Sequence, residues 1–404
     1  MTTAYSRRSF LAGVLATGTL SAGATFLLPG GRSRSKSVEG RIRLWTGEDL
    51  TGAHAAVVGM WNEANPDATV DWEQIEGGSR AEHDGMIEKK KNGEADVVSL
   101  DIIDIREFAK DGHIKPVPLL ERTYFQVIDQ VHRVSPGSRE YWAVPFNSDV
   151  GMLFSRATAD LDLGKPLLPQ VISKDAQGRP RFVGQLAPER ENDKESFVVN
   201  VLEHALSMDS SILGADGRIS EDLDRWRAAL GPLRQAALNN DLVRSPGEGE
   251  SQAKFESDIS LAYMRNWPVR YRGLKDRVDL HRLPNGILGG QSLALVANAR
   301  DVEAATSFIK FATGPAAQRV IAAYGLAPAL ESVYNDGSLK QAIPHLGSVG
   351  IALEQARLRP VHSQYRQFAD LFHRHMLSFL SRPGADLTVD FIEQIKGALD
   401  PDKK

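Results

Sequence analysis

Residues 41–101 read RIRLWTGEDLTGAHAAVVGMWNEANPDATVDWEQIEGGSRAEHDGMIEKKKNGEADVVSLD, and their patterning decides the fold class. Arg41 to Trp45 alternates into a short strand, and Thr46-Gly47-Glu48-Asp49 breaks it with turn chemistry. Ala53, Ala56, Val57, Met60, Trp61 and Ala64 then recur at the spacing of one helix face, which Asn65-Pro66-Asp67 stops. Val70 and Trp72 mark a second strand. Ser79-Arg80-Ala81-Glu82 has the form of a capping box for a second helix ending at Asn92-Gly93. A third strand covers Asp96 to Leu100, Asp101 stands at its carboxyl end, and a helix follows through Ala109. The order βαβαβα calls for a parallel sheet with helices on both faces. Ligands of such sheets bind beyond the carboxyl ends of the strands, where Glu48, Asp49 and Asp101 fall.

Working outward, a chain of 404 residues exceeds what one core usually organises, so two lobes are expected. The formal charge of −4 excludes the basic footprint of a nucleic-acid binder. The lack of cysteine excludes disulfides, thiolate metal sites, a cysteine nucleophile and a lipidated N-terminus. At the N-terminus, Ser6-Arg7-Arg8-Ser9-Phe10-Leu11 precedes an apolar, small-residue run to Gly31, the form of a twin-arginine export signal. Ala22-Gly23-Ala24 offers a cleavage site, and the run is also long enough for an uncleaved membrane anchor. Residues 30–40 read as a tether.

Further along, Tyr141 to Asp149 reads as a strand or crossover, continued by an apolar strand to Phe154. Helical spacing returns at Phe197, Val198, Val201, Leu202, Ala205 and Leu206, and Ser220-Glu221-Asp222 caps a helix through Leu230. Ser245 to Glu250 reads as an exposed loop, Ile259 to Met264 as a strand interrupted by Arg265-Asn266-Trp267-Pro268, and Ser292 to Val296 as a buried strand. Helices are expected at 301–312, from Pro315, at 362–380 and at 387–399.

Seven segments taken in order carry a resemblance: Trp45-Thr46-Gly47-Glu48, Ser99-Leu100-Asp101, Trp142 to Phe146, Asn266-Trp267-Pro268, Gly289 to Ala294, Ala304 to Phe311, and Arg359 to Tyr365. Together they resemble the extracellular solute-binding proteins, family 1, which serve ABC sugar importers, with the nearest likeness to maltose- and trehalose-binding members. The resemblance implies an α/β, two-lobed periplasmic-binding-protein-like fold of type II. It divides the chain into a signal and tether at 1–40, a first lobe at 41–145 and 268–326, and a second lobe at 146–267 and 327–404. Chain crossings would lie near 145 and 267, and the lobes would close on ligand like a hinge. The ligand-contacting positions it implies are Glu48, Asp101, Asn147, Asp149, Glu195, Trp267, Gly289, Gly290 and Arg359. These residue types suit a carbohydrate: carboxylates and amides pair with vicinal hydroxyls, an indole stacks on a pyranose, and glycines admit backbone amides. The implied partners are a di- or oligosaccharide and an ABC permease, with no cofactor, no metal and a monomeric state, on the outer side of the cytoplasmic membrane. Where the family carries an aromatic before the aligned glutamate, this chain has Lys194, so a polyol phosphate or an amino sugar stays open as ligand. A secreted or tethered sensor of the same fold is the alternative role.

Enzymatic readings find little support. No H-E-x-x-H, P-loop or G-x-S-x-G occurs, and Gly290 to Ala294 begins a strand rather than a nucleophile elbow. His373 and His375 point to different faces of one helix, which disfavours chelation. Adjacent Glu48 and Asp49 do not by themselves make the carboxylate pair of a glycosidase.

Overall fold

The computed structural model describes residues 40–118, 121–156, 161–162, 167–187, 194–274 and 277–400. The export signal and nearly all of the tether expected at 1–40 lie outside the described residues. The first lobe starts as the sequence dictates: β1 (Ile42–Gly47), α1 (Ala53–Ala64), β2 (Val70–Ile75), α2 (Gly78–Lys91), β3 (Val97–Asp101) and α3 (Ile105–Lys110). The stripe on α1 buries Val57, Val58 and Trp61 against the sheet. The helix ends where Asn65 turns its amide and side-chain nitrogen back to the Trp61 carbonyl, both at 2.9 Å. β3 is a continuous apolar run because helices cover both faces of its sheet, and Val97 to Leu100 are all buried.

Helix α2 departs from the capping-box expectation. Gly77 and Gly78, at φ 110° and 80°, start it in left-handed geometry, so Ser79 sits inside the first turn and its hydroxyl caps nothing. Glu82 instead packs against β1, where a Cβ added to Gly47 would lie 2.4 Å from its carboxylate.

β1, β2 and β3 pair in parallel, but the sheet as a whole is mixed. β4 (Val144–Val150) runs straight through residue 151 into β5 (Met152–Arg156) of a second sheet. That sheet orders β7 (Val243–Arg244), β6 (Phe182–Gly184), β8 (Tyr263–Asn266), β5 and β9 (Val278–Arg282). The chain then returns as β10 (Leu288–Val296), antiparallel to both β3 and β4, and β11 (Ala327–Pro328) closes the first sheet beside β4. The crossings therefore fall at 151 and 283–287 rather than near 145 and 267. The segment following Trp267 stays with the second sheet through β9, and β11 stays with the first. Apolar periodicity identifies strands without saying which sheet receives them.

The second lobe is completed by α4 (Glu195–Met208), α5 (Leu223–Leu238), α6 (Glu248–Ser257), α9 (Tyr365–Ser381) and α10 (Val389–Ala398), while α7 (Val302–Ala312) and α8 (Pro315–Ala323) cover the first. Asp222 caps α5 as expected, but the helix passes through Gly231-Pro232 to Leu238, because Leu233, Ala236 and Ala237 continue its buried face. β8 begins at Tyr263, later than expected. Asp258 folds the preceding residues into a turn by accepting from the Ser260 amide and hydroxyl, which leaves Ile259 exposed.

A buried ion pair fastens the crossings. Arg265 on β8 grips Glu203 on α4 through Nε at 2.6 Å and Nη2 at 2.8 Å, with both side chains almost wholly excluded from solvent. Glu203 Oε1 also accepts from the Ile287 amide at 3.0 Å. Only glycine fits at 151, since a Cβ there would lie 1.8 Å from that same oxygen. A third crossing runs alongside, with the Leu288 amide bonded to the Arg357 carbonyl at 2.9 Å.

Candidate functional site

The lobes enclose a cleft of about 930 Å³, lined by the strand ends of the first lobe and by α4, α6 and the segment after β8 in the second. All nine residues expected at the site line it: Glu48, Asp101, Asn147, Asp149, Glu195, Trp267, Gly289, Gly290 and Arg359. Their local roles differ.

At the end of β1, Glu48 faces the cleft beside Asp49, which also lines it. Asp49 is spent on folding: its carboxylate accepts from the Gly52 amide at 2.8 Å, the Thr51 hydroxyl at 3.0 Å and the Ala55 amide at 3.2 Å, anchoring the start of α1. Burial opposes its charge, but His54 and these donors hold it well below the usual carboxylate range. His54, on α1, stacks on Phe146 with ring centroids 4.3 Å apart, and neither of its ring nitrogens has a hydrogen-bond partner.

The floor is made by β4 and β10. Asp149 stands opposite Gly289 and Ser148 opposite Gly290, with the register shifting after Gln291. The glycines were expected to admit ligand to the backbone, but the protein itself uses the space. A Cβ on Gly290, at φ 126°, would lie 2.4 Å from the Asn147 carbonyl oxygen, and one on Gly289 would press on the Trp267 ring at 3.2 Å. Trp267 is held on two sides: the Arg265 guanidinium lies 4.1 Å from its ring centroid, and its Nε1 donates to Glu248.

Arg359 joins the walls. Its guanidinium donates to Glu195 at 2.5 Å, to Asp101 at 3.4 Å and to the Leu288 carbonyl at 3.2 Å, and Tyr365 adds its hydroxyl to the same glutamate. Burial works against its charge, and Glu195 and Asp101 more than offset it, holding Arg359 firmly protonated. Asp149 is the opposite case: burial, reinforced by the Glu248 carboxylate, pushes its carboxyl well above the usual range.

Sequence reading missed Glu248, Arg270, Arg272 and His54, all of which line the cleft. The segment expected to be an exposed loop buries Ser245 completely and starts α6 at Glu248. Acid content around two glycines looks the same in a solvated loop as at a helix start facing a cleft. Lys194 adds no charge to the site, because it pairs with Asp370 at 2.8 Å and is not among the lining residues. His373 packs on Phe197 and His375 meets Gln394, so they do not converge. Ser292 does meet His132 Nε2 at 2.7 Å, but both are buried within the first lobe, away from the cleft.

One group outside the cleft has the makings of a cation site: ligand atoms of His83, Asp104 and Glu107 lie within 4.8 Å of one another. A guanidinium already serves it. Arg366 of α9 takes both Asp104 oxygens, each at 2.8 Å, which ties the second lobe to the first. Burial outweighs that partner and pushes Asp104 up to about 6.

Comparison with known proteins agrees with this architecture. No family model matches the chain. A curated protein of Deinococcus radiodurans, described as a probable ABC transporter-binding protein, is 25% identical over 311 residues, covering 67% of this chain and 71% of its own. Among solved structures, maltose-bound MalE3 of T. maritima superposes with a TM-score of 0.74 at 22% identity, covering 89% of this chain and 98% of the other. The GacH receptor of Streptomyces glaucescens, solved unliganded and with acarbose, gives 0.70 at 14% identity over 91% and 100%. The resemblance to the family 1 extracellular solute-binding proteins therefore holds, and the chain has the two-lobed fold of ABC sugar-binding proteins.

Proposed function

We propose that this protein captures a carbohydrate, a di- or oligosaccharide, outside the cytoplasmic membrane and hands it to an ABC permease. One observation carries the reading. Several buried polar atoms that lack a hydrogen-bond partner belong to residues lining the cleft: Asp149 Oδ1, Arg270 Nε, Arg359 Nε and His54 Nε2. Leaving each such group unmet costs about 1–3 kcal/mol, so a ligand that meets them recovers that energy. Hydroxyls both donate and accept, and vicinal hydroxyls satisfy an arginine and a carboxylate together. The relatives solved with maltose and acarbose support the choice of ligand class.

Capture works by closure. The unmet groups are divided between the lobes, His54 on one side and Arg270 on the other, so ligand favours the state that brings them together. A thermal-shift and calorimetric screen of the purified protein against mono-, di- and oligosaccharides, neutral and amino-substituted, tests this. Stabilisation by one saccharide group, lost in Trp267→Ala and Arg270→Ala, supports the reading; no shift with any saccharide overturns it.

A further inference from the structure

The charge of the cleft discriminates among saccharides. Eight carboxylate residues line it against three arginines, with no lysine among the lining residues. The arginines are already engaged: Arg359 lies between Asp101 and Glu195, Arg270 approaches Glu248 at 3.7 Å, and Arg272 donates to the backbone carbonyls of Thr51 and Tyr324. Two of these acids, Asp149 and Glu248, lie near Trp267. Glu248 accepts from the indole Nε1, and Asp149 and the Trp267 ring both border Gly289. Asp149 Oδ1 is buried, lines the cleft and has no hydrogen-bond partner. Of the cations near it, Arg265 is doubly bonded to Glu203 and Arg270 faces Glu248, and their attraction does not overcome the burial and the Glu248 charge that raise the Asp149 carboxyl.

We infer that the captured solute carries a protonated amine among its hydroxyls, as an amino sugar or aminocyclitol does, and that Asp149 and Glu248 receive that amine beside Trp267. This rests on the saccharide reading above and narrows it. Burial and the Glu248 carboxylate favour the protonated form of Asp149, so an ammonium placed beside both carboxyls draws out that proton and meets Asp149 Oδ1 with a charge-assisted bond, stronger than the neutral one that a hydroxyl makes. The burial that raises the Asp149 carboxyl is the penalty such a cation offsets. The same field repels anions, so sugar phosphates are disfavoured.

The test is calorimetry on the purified protein with matched pairs: D-glucose with D-glucosamine, D-galactose with D-galactosamine, cellobiose with the chitosan disaccharide, and maltose as a further neutral sugar. The expected result is at least one amino member binding about tenfold or more tightly than its hydroxyl counterpart, which corresponds to roughly 1.4 kcal/mol. Asp149→Asn should bring that ratio near unity, whereas Glu107→Gln, outside the cleft, should leave it unchanged. Glu248→Gln should lower the ratio as well, and keeps the test open if Asp149→Asn does not fold. Equal or tighter binding of the neutral members overturns the amine assignment and leaves the saccharide reading standing. Binding of no saccharide at all removes both.

Discussion

Two arginine–carboxylate pairs of similar geometry hold different things in place. Arg265–Glu203 lies inside the second lobe with side chains 0% and 1% exposed, and it also fastens the Ile287 amide and excludes any side chain at Gly151. Arg366–Asp104 spans the lobes, with Arg366 21% exposed and in addition reaching the Ser79 carbonyl. The first is a fixed part of the pivot. The second joins one lobe to the other through an arginine that water can reach. What decides this is not the pairing itself but whether both partners belong to one rigid unit and whether water can take over when they separate.

The sharpest way to break the comparison is to remove one partner from each pair. Glu203→Gln leaves Arg265 charged in a dry site and is expected to lower unfolding stability by about 3–5 kcal/mol in a denaturant titration. A loss below 1 kcal/mol would mean that the pair is not the anchor described.

Acid titration separates the two surroundings next. His204, adjacent to Glu203, is depressed by burial from 6.5 to about 4, so the folded protein refuses a proton that the unfolded chain accepts. Stability should fall as pH drops from 6.5 towards 4, by roughly 3 kcal/mol from this group alone. His132 in the first lobe, also depressed to about 4, adds to the same limb. His83, beside Asp104, behaves in the opposite sense. Burial opposes its charge, but Glu107 and Asp104 raise it, so its contribution is present at low pH and lost as pH rises through its folded value. Unfolding free energies measured from pH 4 to 8 should show both limbs; His83→Gln should weaken the alkaline one, to which the raised carboxyls of Asp104 and Asp149 also contribute, and leave the acid one unchanged.

Gly151→Ala should cost about 1–3 kcal/mol by forcing a methyl group against Glu203, as an equilibrium melt would register. Arg366→Ala leaves the buried Asp104 without its guanidinium and should cost about 1–3 kcal/mol, less than Glu203→Gln because Asp104 can take up a proton. Its signature is shape: the unliganded protein should become more open, with a larger radius of gyration in small-angle scattering. An unchanged radius would mean that the pair does not hold the lobes together.

Much of this was legible from residue patterns. The α1 stripe and the apolar β3 run fixed the first lobe, and the strand-end rule put Glu48 and Asp101 at the cleft before any coordinates. Other features depend on long-range contacts that no local pattern encodes. Val278–Arg282 could have joined either sheet. Glu248 becomes a cleft residue only because α6 starts facing Trp267. Gly289 and Gly290 were correctly placed but for another reason, since the space they leave is filled by Trp267 and Asn147. The capping box at Ser79 failed because two glycines just before it start the helix in a conformation other residues rarely adopt.

The half-buried indole of Trp267 rests on a guanidinium and gives its N–H to a carboxylate at the edge of the cleft. It is therefore an optical probe built into the protein. A solute entering beside it would change the polarity and the charges around the ring, and so the wavelength and intensity of its emission. Occupancy should then be readable by intrinsic fluorescence without any label, as the part of the emission change that is lost in the Trp267→Phe protein, which keeps the other five tryptophans.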